Sequence, residues 1–109
     1  MNGLRTAYVY VRDMFAGTLE ETDFGYSFSY DEGYLNMGNA TAVSLTLPLS
    51  SDEYKSQVLF PFFDGLIPEG WLLDVVSRNW KIDMNDRFGL LLVACKDSIG
   101  NVSIREVKQ

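Results

Sequence analysis

The feature that most constrains this chain is the stretch at residues 59–80, LFPFFDGLIPEGWLLDVVSRNW, which concentrates prolines, glycines and aromatic residues. Pro61 and Pro68 each fix the backbone angle φ and remove a hydrogen-bond donor, which prevents regular strand pairing. Gly65 and Gly70 permit tight turns of the backbone. We therefore expect a constrained loop followed by a helix, with the rest of the chain supporting it.

The helix is predicted to begin at Pro68 and Glu69, because proline and an acidic side chain are both favoured in a first turn. At about 100° per residue, its apolar side chains form one broad stripe: Leu72, Leu73, Val75, Val76 and Trp80. Trp71 falls outside that stripe, on the side of Asp74 and Arg78. A tryptophan left near the polar side of a helix, beside a constrained loop, is a candidate anchor for a partner protein.

The remaining elements indicate a small antiparallel sheet. Alternating or β-branched patterns predict strands at residues 7–11, 15–19, 24–30, 42–49 and 102–107. Residues 31–39 are predicted to hold a short turn of helix, and residues 50–57 a polar connection. A second helix, capped by Asp83 or Asn85, is expected to be buried because its residues 88–95 are apolar nearly all round. The chain is thus predicted to be a single α+β domain over residues 1–109, a barrel-like antiparallel sheet with two packed helices.

The charge is uneven along the chain, whose net charge is −6. Eleven acidic residues lie within residues 13–77, against the single basic residue Lys55. A chain of this kind repels phosphate backbones, so we expect no direct binding of nucleic acid. The acidic middle suits either a basic partner surface or a solvated face that keeps the protein soluble.

Few residues offer catalytic or metal-binding chemistry. The chain has no histidine, which excludes histidine-dependent triads and zinc sites, and its only cysteine, Cys95, is expected in the core. Asp64, Glu69 and Asp74 near the central stretch have the chemistry of an acid/base pair or a cation site. We instead expect Asp64 to bond backbone N–H groups in a loop and Glu69 to be a first-turn helix charge. The prediction is a protein that is not an enzyme and holds no cofactor or metal.

No phosphate-binding glycine pattern is present, and no apolar run approaches the length of a membrane span. The N-terminus lacks the features of a signal peptide, so we expect a cytoplasmic protein without membrane contact.

Phe60, Phe62 and Phe63 are expected to pack beneath the central loop, and the alternative for them is direct contact with a partner.

Four short motifs, in order, resemble those of the N-terminal subdomain of HipA-type kinases: SLTLPL at residues 44–49, FFDGLIPE at 62–69, FGLL at 88–91 and KDSIG at 96–100. The similarity extends over essentially the whole chain as far as Ile104. The resemblance implies that this subdomain precedes a large Ser/Thr kinase body, which carries the ATP loop, the catalytic base and the metal-binding aspartate. In that family the whole protein is a bacterial toxin that phosphorylates translation-linked targets such as aminoacyl-tRNA synthetases.

This chain ends where the kinase body would begin, so we expect a stand-alone version of the subdomain. The resemblance points to the HipS proteins, antitoxins that are encoded beside a shortened HipT kinase and a DNA-binding HipB protein. The implied partners are a HipA- or HipT-like kinase and, through the complex, a HipB-like protein. The predicted partner-binding corner consists of Phe63, Asp64, Ile67, Pro68, Glu69 and Trp71.

Three functions are compatible with these sequence features. The first is an antitoxin that binds the separate kinase and inhibits it. The second is a structural subunit that completes a split kinase without inhibiting it. The third, from a different class, is a small ligand-binding domain or enzyme that uses Asp64 and Glu69.

Overall fold

The strands of the protein form one antiparallel sheet in the order β4-β3-β2-β1-β5, and helices pack on it. The structure is a computed structural model that describes residues 4–67, 78, 85–94 and 102–107. The elements in chain order are β1 (Thr6–Val11), β2 (Met14–Thr22), β3 (Gly25–Tyr30), α1 (Glu32–Leu35), β4 (Tyr54–Ser56), α2 (Pro61–Asp64), α3 (Arg87–Ala94) and β5 (Val102–Glu106). The α+β prediction is confirmed.

The first hairpin turns at Arg12 and Asp13, the polar break that predicted it. Both residues have positive φ, 50° and 68°, and Val11 pairs with Met14 across the turn. This backbone matches the right-handed twist of the flanking strands, which explains how two residues suffice. β5 then pairs with the free side of β1, with Ile104 opposite Val9.

One face of the sheet forms the floor of the core. Ala7, Val9 and Val11 of β1 are buried on it, and Phe28 and Tyr30 of β3 continue it across the sheet. The residues between them lie on the other face, where β1 presents half-exposed tyrosines. Of the aromatic side chains predicted to alternate along residues 24–30, Phe28 and Tyr30 reach the core. Phe24 instead precedes β3 and is 88% exposed.

The strand predicted at residues 42–49 is wrong. These residues form a loop with one isolated bridge between Ser44 and Leu47, and the fourth strand is β4, inside the segment predicted to be a polar connection. The reason is local, because the Ser44 Oγ accepts the Thr46 N–H at 3.2 Å and the Ser44 carbonyl accepts the Leu47 N–H at 3.1 Å. Side-chain bonds of this kind compete with strand pairing.

The second predicted helix is α3, although its cap differs from the prediction. The Asp86 carboxylate accepts the Gly89 N–H at 3.1 Å and the Asp86 carbonyl accepts the Leu90 N–H at 3.0 Å, so Asp86 caps the helix in place of Asp83 or Asn85. Most of the described side chains of α3 are buried, as expected: Phe88, Leu90, Leu91 and Leu92. Val93, also expected to be buried, is half-exposed. The helix predicted to begin at Pro68, and Cys95, lie outside the described residues.

Candidate partner-binding corner

The described part of the predicted corner is α2 with the residues that follow it, residues 61–67. Pro61 occupies the first turn, where its missing N–H costs no hydrogen bond. The Asp64 N–H donates to the Phe60 carbonyl at 3.0 Å, and the next residue donates to the Pro61 carbonyl at 2.9 Å. Two further backbone bonds, at 3.1 and 3.2 Å, keep the chain tightly wound as far as Ile67.

Three apolar side chains hold this segment against the sheet. Phe63 is fully buried, and Ile67 and Phe60 are nearly so. The Phe63 ring centroid lies 5.5 Å from that of Phe28 on β3 and 5.2 Å from that of Phe62. Burying a phenylalanine side chain stabilises a fold by about 1.5–3 kcal/mol. The core therefore fixes α2, although the helix is a single turn.

An ion pair joins α2 to α3. The Arg87 Nε donates to the Asp64 Oδ1 at 2.6 Å, with 34% and 40% of the two side chains exposed. Such a half-exposed pair is worth about 0.2–1 kcal/mol. Asp64 is thus the last residue of α2, not a loop residue, and its carboxylate accepts from a guanidinium. The predicted bonds from backbone N–H groups to Asp64 stay a prediction.

The start of α3 is held in turn by Arg5, which lies between two carboxylates. Arg5 Nε and Nη2 donate to Glu21 at 2.8 and 3.0 Å, and Nη2 and Nη1 donate to Asp86 at 2.6 and 3.0 Å. The guanidinium also lies 5.2 Å above the Phe88 ring centroid. The bonds to Glu21 and Asp86 raise the pKa of Arg5. The Arg5 bonds, assisted by the Gly89 N–H, lower the pKa of Asp86 despite its partial burial.

The six predicted contact residues divide into three groups. Phe63 and Ile67 are buried in the core, where they hold the backbone of residues 61–67. Asp64 is half-exposed at the edge of α2. The other three residues lie outside the described part of the chain: Pro68, Glu69 and Trp71. The predicted contact itself stays a prediction.

Two residues that the structure places in notable positions are not recognisable from the sequence. Arg87 lies 23 residues from its partner Asp64 along the chain, and no local pattern signals that pair. Leu45 belongs to an alternating apolar pattern that predicted burial in a strand, yet its side chain is fully exposed. For Leu45 the preceding serine is the available signal, since serine favours local turns.

Two open clefts on the described surface lie away from α2. One of about 350 Å³ is lined by residues of the β2–β3 turn and of β4, including Phe24 and Lys55, and one of about 550 Å³ lies beside α1. Neither is lined by Asp64. Within the described ranges, no three acidic or cysteine side chains are arranged to hold a metal ion.

A membrane-spanning helix would need both length and continuous apolar character, and no helix in the described part of the chain has them.

Comparisons with known proteins give three consistent matches. Residues 7–105 match the family model described as the HipA N-terminal domain. An uncharacterized protein of Haemophilus influenzae is 35% identical over 106 residues, which cover 97% of this chain and 96% of that protein. The solved structure of the N-terminal domain of HipA toxin is 30% identical with a TM-score of 0.75, and the match covers 96% of this chain and 94% of that one.

Proposed function

The chain belongs to the HipA N-terminal domain family, as its four motifs predicted, and from this premise we propose that it binds a separately encoded HipA-type Ser/Thr kinase and inhibits it. Such a protein is the antitoxin of a toxin–antitoxin system. The observation that carries the proposal is the family match over residues 7–105, together with a relative spanned over 96% of its own length. A relative whose whole length is nearly covered by this domain is what we expect if the N-terminal domain is encoded separately.

The fixed position of α2 supports the choice of contact. Phe63 and Ile67 bury the base of the corner, and the Asp64–Arg87 pair ties it to α3. Pro68 follows directly on this base, and Trp71 lies three residues further along the chain. A contact that starts from a preorganised base loses less conformational entropy on binding. In the proposal, Trp71 is the anchor, and Glu69 and the exposed side of Asp64 make polar contacts. The buried side chains of Phe63 and Ile67 position these residues.

The proposed mechanism is obstruction of the kinase lobes. Phosphoryl transfer requires the phosphate-covering loop, the metal ions and the catalytic base in one arrangement, and closure often limits its rate. A domain docked against the lobes would hinder that arrangement. The proposal gives this chain no catalytic role, since the resemblance places the ATP loop and the catalytic base in the kinase body.

A second candidate keeps the partner and drops inhibition. The same family match fits a subunit that completes a split kinase, and binding alone does not separate the two functions. Co-expression in growing cells does, because an antitoxin restores growth that the kinase arrests, whereas a required subunit deepens the arrest. The third candidate, a small ligand-binding domain or enzyme, is less favoured because Asp64 is already bonded to Arg87.

The contact is tested by the Trp71→Ala variant. A desolvated tryptophan anchor is worth about 2 kcal/mol or more, so the affinity for the HipA-type kinase of the same genome should fall at least about 30-fold. Calorimetry with the purified kinase measures the change, and far-ultraviolet circular dichroism verifies that the variant is folded. A folded variant that binds and inhibits as the parent chain does would show that Trp71 is not the anchor.

A further inference from the structure

A leucine is presented at the tip of the loop between α1 and β4. Leu45 is 100% exposed, whereas its neighbours in the alternating pattern, Val43 and Leu47, are 7% and 3% exposed. The turn at Ser44 places it there, because the backbone reverses between the two buried side chains. The burial of its neighbours therefore fixes both sides of the turn while Leu45 stays in solvent.

Three tyrosine hydroxyls fix the backbone of this loop: Tyr34 bonds to Thr41, Tyr30 to Val43 and Leu47, and Tyr54 to Pro48. The Tyr30 hydroxyl donates to one carbonyl and accepts an N–H at 3.0 Å, so it links the two sides of the turn. A loop held in this way has little conformational entropy to lose on binding. Leu45 is thus carried by a preorganised support.

The loop shares one side of the sheet with α2. Tyr30 and Phe28 alternate onto the same face of β3, and their ring centroids are 4.9 Å apart. Phe28 in turn lies 5.5 Å from Phe63 of α2. A chain of aromatic contacts therefore connects the support of Leu45 to the base of the proposed binding corner.

The charges around the loop are mainly acidic, although Arg12 Nη2 donates to the Asn39 carbonyl at 3.2 Å. Between residues 31 and 54 every charged side chain is acidic: Asp31, Glu32, Asp52 and Glu53. Asp31 follows Tyr30, and Tyr54 lies between Glu53 and Lys55, so the two ends of the loop carry a net negative charge. A surface that combines an exposed leucine with a net negative charge complements an apolar depression rimmed by lysine or arginine.

We propose that Leu45 is a second anchor for the kinase, entering an apolar depression with a basic rim while the corner at residues 61–71 makes the first contact. This rests on the proposed function, because it names a second contact of the same complex. A second anchor would fix the orientation of the docked domain, which a single indole would leave free to pivot.

The test compares two leucine variants with a matched control. Leu45→Ala should weaken binding of the purified HipA-type kinase about tenfold, which corresponds to about 1.4 kcal/mol, and Leu45→Asp more. Phe24→Ala is the control, because Phe24 is 88% exposed in the β2–β3 turn. It lies just before β3, six residues from Tyr30, which is about 20 Å at the rise of a strand. The control should bind within twofold of the parent chain.

The outcomes separate this inference from the proposed function. If the parent chain binds the kinase and Leu45→Ala binds equally well, the second anchor is wrong and the proposed function stands. If the parent chain does not bind the kinase, both fail. A change in the self-association of the chain alone on substitution of Leu45, seen by sedimentation, would assign the residue to contact with a second copy and overturn the inference.

The basic rim has its own readout. Affinity for the kinase should fall as sodium chloride is raised from about 50 to 500 mM. Salt screens attraction between exposed charges, and the screening length falls from about 10 Å at about 0.1 M towards about 3 Å at about 1 M. The double variant Glu32→Gln with Glu53→Gln should flatten this dependence. An affinity that does not change with salt would contradict the charge complementarity.

Discussion

At the residue scale, a few side chains connect parts of the chain that are far apart in sequence. Arg5 bonds to Glu21 and Asp86, and Arg87 bonds to Asp64. The sequence shows these charges but not their pairing, because partners 16 to 81 residues apart leave no local pattern. The cap of α3 is Asp86, one residue after the predicted Asn85. Several polar residues precede that helix, and propensity alone cannot choose among them.

Asp86 makes stability depend on pH. Its folded-state pKa is lowered, first by the Arg5 guanidinium and then by the Gly89 N–H, so the folded protein binds fewer protons there than the unfolded chain. The stabilisation is therefore present above the unfolded pKa of about 3.9 and is lost as the pH falls through the folded pKa. The free energy of unfolding of wild type should exceed that of Asp86→Asn at pH 7, and the difference should shrink below about pH 4.

Urea unfolding across that pH range measures this difference. Asp52→Asn is a suitable control, because Asp52 is an exposed carboxylate in the polar loop before β4. A wild-type advantage over Asp86→Asn that is as large at pH 3 as at pH 7 would show that the Arg5–Asp86 bonds are not the source.

At the element scale, strands with long alternating patterns are predictable and short irregular elements are not. β1, β3 and β5 form where their patterns predicted strands, although only β1 alternates strictly. β3 also buries Ser27, and β5 buries its first three residues in succession. The apolar pattern at residues 42–49 is equally regular, yet Tyr30 and Ser44 hold that segment as a loop. β4 is only three residues long, and it forms because β3 offers an edge for pairing, which its polar sequence does not reveal.

Removal of one hydroxyl tests how the loop is held. Tyr30→Phe leaves the Val43 N–H and the Leu47 carbonyl without their partner in a buried place, so the free energy of unfolding should fall by about 1–3 kcal/mol. The matched control is Tyr8→Phe on the exposed face of the sheet, which should change stability by less than about 0.5 kcal/mol. Faster hydrogen exchange at the Val43 amide should accompany the loss, and unchanged exchange would contradict the role of Tyr30.

At the scale of the whole molecule, α2 and the loop that carries Leu45 lie on the same side of the sheet. That side is where we propose that the kinase binds. Motif order along the sequence was sufficient to identify the family, and the family match confirms it. The motifs could not reveal that SLTLPL is a loop with an exposed leucine, because a linear pattern does not show which apolar residue tertiary contacts leave outside. We therefore predict a docking domain that contacts a kinase through Trp71 and Leu45.

The most direct test of the central claim is phosphotransfer by the purified HipA-type kinase, measured with and without an equimolar amount of this chain. The account predicts that the rate falls by tenfold or more with the wild-type chain and recovers when Trp71→Ala replaces it. A kinase rate that is unchanged, or that rises on addition of the wild-type chain, would contradict inhibition, and a rise would assign the chain to the role of an activating subunit.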